Sequence, residues 1–147
     1  MIYEKAKVDE YYRREKAKEG KKFQLPWMHG AYNLISEHVN DVIKLFYMRT
    51  FNVSGAHSGV VMPDGKVNSF YNQNYIGVCT IGDFDTKDVP KDVWDFNLMV
   101  CRDIMDKFGF GSGSVLGHRE VYDNVGVKRE KQCPGVKWDM DAFRKDL

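Results

Sequence analysis

A helical spacing of apolar residues marks the segment that follows Pro90. The apolar positions recur at i, i+4, i+7, i+11 and i+14, and they are Trp94, Leu98, Cys101, Met105 and Phe108. Pro90 near the start and Gly109 at the end are residues that commonly begin and end helices. The pattern predicts an amphipathic helix with Cys101 on its buried side, as a small core residue rather than a metal or redox group.

Shorter apolar stretches predict strands. They lie at 32–35, 42–47 and 76–82. The last of them is apolar throughout and bounded by glycines, which is typical of a strand buried on both faces, with Cys79 in the core. Val115 and Leu116 indicate one more short strand, leading into Gly117 and His118.

The remaining segments are more polar. Interleaved acids and bases from Lys5 to Lys22 predict an exposed amphipathic helix that ends at Gly20, followed by a loop between Pro26 and Gly30. The stretch from Gly55 to Tyr75 is rich in Gly, Ser and Asn, with Pro63-Asp64-Gly65 as a turn signal, and predicts a long surface loop. Residues 138–147 predict a closing helix.

Length and composition favour one domain over residues 1–147, because 147 residues with 43% hydrophobic content can enclose one substantial core. The net charge of +1 excludes a whole-molecule attraction to nucleic acid or to an anionic membrane. No apolar run is long enough for a membrane insertion and no signal-peptide pattern follows Met1, so a cytoplasmic protein is expected. Three scattered cysteines do not form a disulfide framework.

The candidate chemistry lies between Gly117 and Gly135. His118 and Cys133 can converge across the irregular stretch from Tyr122 to Glu130 and offer one nitrogen and one thiolate, which are donors that zinc prefers. The spacing alone is equally compatible with a histidine satisfied by the backbone and a buried free thiol.

Four motifs in the same order resemble the N-acetylmuramoyl-L-alanine amidases, the family shared by phage T7-type lysozymes and peptidoglycan recognition proteins. The ending of that family, a Gly-His-x-Glu-Val segment followed by Lys-x-Cys-Pro-Gly, resembles 117–135. Its Gly-Ala-His turn resembles 55–58, its Tyr-Asn-x-Asn strand resembles 71–82, and its Tyr-His strand with the following turn resembles 32–43.

The resemblance implies an α/β (α+β) fold with a mixed central β-sheet flanked by helices. It also implies a Zn²⁺ cofactor bound by His118 and Cys133, which activates water for attack on the amide between muramic acid and L-alanine. Lys131 matches the catalytic lysine that stabilises the oxyanion, and Tyr32 matches a tyrosine that assists proton transfer. A solvated loop lysine and a core tyrosine are the alternatives for these two residues.

Two further residues match positions in the substrate groove of the family. His57 and Asn74 are expected to hydrogen-bond the muramyl-peptide, although an asparagine in a Gly-rich loop commonly serves only turn chemistry. The stretch from Gly59 to Phe70 is an insertion relative to the family pattern and lengthens the loop beside this groove.

One feature of the family is not found. Its first zinc histidine lies on a strand that precedes the match to Tyr32, whereas no histidine occurs here before His29. A fold without this first strand is therefore expected. Three explanations stay open: the chain starts late, one of His29, His38 and His57 replaces the ligand, or the protein is a degenerate relative.

The function expected is that of a phage or prophage endolysin, a monomer that hydrolyses bacterial peptidoglycan. The alternative is a module that binds peptidoglycan without cleaving it, because the first ligand is not found. A tightly bound zinc ion distinguishes an enzyme from a binder.

Overall fold

The described part of the chain combines a small mixed sheet, a two-stranded hairpin and four helices. The computed structural model describes residues 31–147. In chain order the elements are β1 (Leu34–Val39), β2 (Val42–Tyr47), β3 (Val60–Val61), β4 (Val67–Asn68), α1 (Phe70–Asn74), β5 (Val78–Thr80), α2 (Lys91–Phe108), a 3₁₀ turn (Ser112–Ser114), α3 (His118–Asn124) and α4 (Met140–Asp146). The predicted α+β class with a mixed sheet is confirmed.

The main sheet has the strand order β2-β1-β5. β1 and β2 pair antiparallel around Asn40 and Asp41, whose φ angles of 52° and 59° suit a tight two-residue hairpin. β5 pairs parallel to β1 on its other side. The strand predicted at 42–47 is confirmed, the one predicted at 32–35 begins at Leu34 and extends to Val39, and β5 is shorter and only half-buried, not enclosed on both faces.

A polar seam joins this sheet to α2. The Ser36 hydroxyl donates to Thr80 Oγ1 at 3.0 Å, and the Thr80 hydroxyl donates to Asn97 Oδ1 at 2.8 Å. The Asn97 amide in turn donates to the Val93 carbonyl at 2.8 Å. Every link is an ordinary hydrogen bond between buried or half-buried groups, so the seam fixes which face of the helix meets the sheet.

The predicted helix at 94–108 is confirmed as α2, which begins after Pro90 and ends at Gly109, a residue with a φ of 71°. Its buried face joins an apolar cluster, half of whose members come from the end of the chain. The cluster consists of Phe84, Val93, Leu98, Trp138, Met140 and Phe143. Cys101 packs against it, and burial raises the pKa of this thiol to about 11, as its predicted core role requires.

The predicted surface loop between Gly55 and Tyr75 is wrong in part, because it contains β3, β4 and α1. The Pro63-Asp64-Gly65 turn closes the hairpin, with Gly65 at a φ of 79° and the Met62 amide donating to the Lys66 carbonyl at 2.8 Å. Residues 71–74, which resemble a strand in the family pattern, are helical instead.

The strand predicted at Val115 and Leu116 is also wrong. These residues connect the 3₁₀ turn to α3, and the stretch expected to be irregular is helical as far as Asn124. The reason lies in a local cap, because the Glu120 carboxylate accepts a hydrogen bond from the Gly117 amide at 2.7 Å and so starts the helix at His118. The closing helix is confirmed as α4, whose cap is Asp139.

The predicted helix from Lys5 to Lys22, the loop between Pro26 and Gly30, and the expected lack of a first strand all lie outside the described residues. Residues 31–147 form one compact unit, and a single domain over 1–147 stays a prediction. None of the helices in this unit is long and apolar enough to cross a membrane.

Asn33 joins the start of β1 to two other segments. This side chain is almost fully buried, and its oxygen accepts the Gly77 amide at 2.9 Å. Its nitrogen donates to the Thr50 and Val53 carbonyls at 3.0 and 3.3 Å. Asn33 stands where the family pattern has a histidine. Its hydrogen bonds join three segments of the chain, a role that the alternation of apolar and polar residues along a strand does not predict.

We expect Asn33→Ala to lower the free energy of unfolding by about 1–3 kcal/mol, because it leaves a buried amide and two carbonyls without their partner. Urea unfolding followed by circular dichroism measures the change. Asn124→Ala, at an exposed helix end, is the control and should change stability little. Equal effects of the two substitutions would contradict the role given to Asn33.

Candidate active site

His118 is the first residue of α3, and the start of the helix fixes its position. Its ring stacks on Tyr122 one turn later, with ring centroids 5.5 Å apart. Its Nε2 atom is buried and has no hydrogen-bond partner in the described part of the chain. Burial lowers the pKa of His118, and the charges of Lys131 and His57 lower it further, so a neutral imidazole is favoured.

The loop that carries Cys133 is held against α3 by Arg119. The Arg119 amide donates to the Cys133 carbonyl at 3.0 Å. Its guanidinium donates to the carbonyls of Gly135 and Trp138, each at 2.6 Å. Because Arg119 directly follows His118, these bonds hold the backbone of the Cys133 loop beside the start of α3.

Gly135 fixes the far side of this loop. It has a φ of 123°, and a Cβ atom there would lie 2.5 Å from the backbone of Phe84. Only glycine tolerates both that conformation and that approach. The peptide bond between Cys133 and Pro134 is cis. The Cys133 side chain remains exposed, as a free thiol.

His57 lies beside the same site. A Cβ atom on Gly55 or on Gly77 would lie 2.3 Å from its Cδ2 atom, so the ring packs against bare backbone. Its Nε2 is 3.2 Å from the Tyr75 carbonyl oxygen and its Nδ1 is 3.1 Å from the Ser58 hydroxyl. Since a carbonyl only accepts, Nε2 carries the proton and the Nδ1 of the neutral ring accepts from Ser58.

Asn72 positions this histidine. Its side-chain oxygen accepts hydrogen bonds from the backbone amides of His57 and Ser58, both at 2.8 Å. The sequence motif that contains Asn72 was recognised, but Asn74 was the residue assigned to the substrate groove. The Asn74 side chain donates to the Phe70 carbonyl at 2.8 Å, as a helix residue bonding back along its own helix.

Tyr32 completes the cluster. Its ring stacks on His57 with centroids 6.0 Å apart. Burial raises the pKa of Tyr32, and negative charge on Cys79 and Cys133 raises it further. The phenol is therefore protonated at neutral pH and can donate a hydrogen bond into the site. The half-buried Cys79 is a neighbour of Cys133, so this strand residue borders the site as well as the core.

The structure thus brings together five of the six residues predicted from the sequence: Tyr32, His57, His118, Lys131 and Cys133. Lys131 is exposed on the loop, and its charge reaches His118. Asn74 is the exception, because its side chain bonds back to Phe70 and lines a cavity that neither His118 nor Cys133 borders.

A family model for N-acetylmuramoyl-L-alanine amidase matches residues 8–136, which is most of the chain. The chain belongs to this amidase family. Comparisons with curated proteins and with solved structures found no match. This family is one of peptidoglycan amidases, and the cluster around His118 is the candidate site for such a reaction.

The residues of this family member offer a metal two donors. The unpaired, buried Nε2 of His118 fits a metal ligand, since a buried polar atom without a partner is costly unless something binds it. The Cys133 thiol, on the loop bonded to Arg119, would be a soft donor. Within residues 31–147, no three His, Cys, Asp or Glu side chains are grouped so as to hold a metal ion.

Two of the three histidines considered as a replacement ligand have other partners. Both ring nitrogens of His57 are engaged by Ser58 and Tyr75. His38 pairs with Asp92, with Nε2 2.9 Å from the carboxylate. His29 lies outside the described residues.

Arg119 and Asn72 are functional-site residues that sequence reasoning missed. Both residues lie inside segments that resemble the family, and this was the only feature of the sequence that pointed to them. They were missed because neither carries a group that suggests catalysis or metal binding. Each acts through hydrogen bonds to the backbone of the residues beside it. We expect both to be sensitive to substitution for this reason.

We expect Arg119→Ala to lower the free energy of unfolding by about 1.5–3 kcal/mol, because two carbonyls lose hydrogen bonds to a charged donor. Arg129→Ala removes an arginine from an exposed pair with Asp123 and should change stability much less. Chemical denaturation of the two variants measures the difference. Equal losses would show that the loop does not depend on Arg119.

Proposed function

We propose that the chain is a zinc-dependent peptidoglycan hydrolase that cleaves the amide between N-acetylmuramic acid and L-alanine of the stem peptide. The observation that carries the proposal is the buried, unpaired Nε2 of His118 beside the loop of Cys133, in a chain that belongs to the amidase family. His118 and Cys133 are the residues that would hold the ion. Zinc supplies Lewis-acid activation of water and of the scissile carbonyl.

The chain's own residues contribute binding and proton transfer. Tyr32 stays protonated and lies against His57, so its hydroxyl can donate to the substrate amide or orient the attacking water. Lys131 brings a flexible ammonium to the neighbourhood of His118. That charge can stabilise the negative charge that develops on the amide oxygen.

His57 serves as a binding residue in this proposal. Ser58, Tyr75 and Asn72 fix its ring and its backbone, so its position is set before any ligand arrives. Preorganisation of this kind lowers the cost of binding. With both nitrogens engaged, His57 is better suited to shape the groove than to bind metal.

A second candidate is a peptidoglycan-binding protein without catalysis. It is favoured by one observation, that no three ligand-type side chains within residues 31–147 are grouped to hold a metal. Incubation with purified peptidoglycan, with and without added zinc, separates the two functions. Release of L-alanine amino termini supports the enzyme, and retention on peptidoglycan without release at any zinc level supports the binder.

A phage or prophage origin, a cytoplasmic location and a monomeric state stay predictions from the sequence. Each has a direct measurement: the genomic neighbourhood, the cell fraction that holds the protein, and the mass in solution by light scattering. None of them alters the assignment of the site residues.

We expect His118→Ala and Cys133→Ser each to lose bound zinc and the release of L-alanine while the domain stays folded. The reason is that each removes one of the two donors. Elemental analysis of the purified chain gives the metal content. Cys101→Ser, at a thiol packed against the core, is the matched control and should keep its zinc. Undiminished zinc affinity after Cys133→Ser would overturn the ligand assignment.

We expect Lys131→Ala to keep its zinc but to lower turnover by about 10²–10³-fold, the cost of removing a group that stabilises an oxyanion. Lys128→Ala, an exposed lysine on the same loop, is the control and should leave turnover unchanged. Steady-state release of L-alanine from soluble muramoyl-peptide measures both variants. Loss of metal from Lys131→Ala would indicate a structural role instead.

A further inference from the structure

A cavity that neither His118 nor Cys133 borders lies against α1. Its volume is about 490 Å³, within the size range of pockets that bind small ligands. The walls are the loop at 51–54, the segment 72–76 and the end of α2 with the residues that follow it. Neither His118 nor Cys133 lines it, so it is distinct from the candidate active site.

Aromatic rings form one side of this cavity. Phe51 and Phe108 meet edge to face with centroids 5.8 Å apart, and Phe108 stacks on Phe110 at 5.9 Å. Phe108 and Phe110 remain 42% and 48% exposed, so part of each ring is open to a ligand. The Tyr75 side chain adds a fourth ring to the cavity.

Uncharged amides form the other side. Asn52, Gln73 and Asn74 line the cavity, and the side chains of Asn52 and Gln73 make no hydrogen bond to any described residue. The only charged side chain in the described lining is Lys107, whose Nζ lies 5.6 Å from the centroid of the Phe108 ring. No carboxylate from residues 31–147 contributes to the lining.

We propose that this cavity binds the glycan strand, with N-acetylated sugar rings as its ligand. The C–H faces of a sugar pack on aromatic rings, while its hydroxyl and acetamido groups exchange hydrogen bonds with amide side chains. A stem peptide carries carboxylates and would require several cations, whereas the cavity offers one lysine that already contacts aromatic rings.

The cavity is also placed to continue the active site. The Tyr75 carbonyl accepts the hydrogen bond from His57 Nε2, and the Tyr75 ring lines the cavity. The Gly55 amide donates to the Asn72 carbonyl at 3.2 Å, which ties the loop before His57 to α1. A polymeric substrate held at His118 must extend past the site, and Asn72 and Tyr75 both bond to His57 and line this cavity. In this respect the proposal rests on the proposed function.

The test is calorimetric titration of the full chain with tetra-N-acetylchitotetraose and, in a second arm, with a sugar-free stem peptide. We expect the saccharide to bind, and Phe108→Ala and Gln73→Ala each to weaken it, by about tenfold or more for the phenylalanine. Gln73 makes no contact that the fold needs, so its variant separates binding from folding. Phe46→Ala, a phenylalanine of similar exposure outside the cavity, is the control.

Kinetics complete the test. Both cavity variants should raise KM for polymeric peptidoglycan and leave the release of L-alanine from a minimal muramoyl-peptide unchanged. Saccharide binding that is absent in the wild type, or equal in the wild type and both variants, would overturn the proposal, as would stem-peptide binding that the two cavity substitutions weaken. Saccharide binding without any release of L-alanine would refute the proposed hydrolysis and leave the glycan site standing.

Discussion

The arginine that follows His118 is the constraint on which the candidate site depends. Arg119 donates from its amide to the Cys133 carbonyl and from its guanidinium to two carbonyls farther along the same loop. Between α3 and α4 the chain forms no helix or strand, so the backbone carbonyls of this loop need hydrogen-bond donors other than those of regular secondary structure. A planar guanidinium can reach several of them at once, which a lysine cannot. The two candidate ligands are therefore held together by hydrogen bonds to the backbone.

The next residue extends this support to the core. Glu120 caps α3 through the Gly117 amide and pairs with Arg144 of α4 at 2.8 Å. Burial alone would raise the pKa of Glu120, but hydrogen bonds from Arg144 and Gly117 hold it below its usual value. Arg144 also donates to the Val115 carbonyl. Three successive residues thus have three roles: His118 is a candidate ligand, Arg119 bonds the loop of Cys133, and Glu120 ties α3 to α4.

The sequence predicted the long elements well and the short ones poorly. α2 spans five turns, so its apolar period stands out, and β2 is bounded by a turn whose residues tolerate positive φ. α3 has only seven residues, too few for a period, and it forms because Glu120 caps it and Arg119 and Arg144 pack around it. Such tertiary contacts are invisible in a pattern of apolar and polar positions.

The same limit explains which site residues were found. His118, Cys133 and Lys131 were assigned as candidates because motifs contain them in order, but the motif at 71–74 contains two asparagines and does not say which faces the candidate site. On a helix, residues two apart point about 200° away from each other. The Asn72 side chain therefore accepts from the backbone amides of His57 and Ser58, whereas the Asn74 side chain donates to the Phe70 carbonyl of its own helix. The different contacts of these two asparagines follow from helical geometry, which a sequence motif does not state.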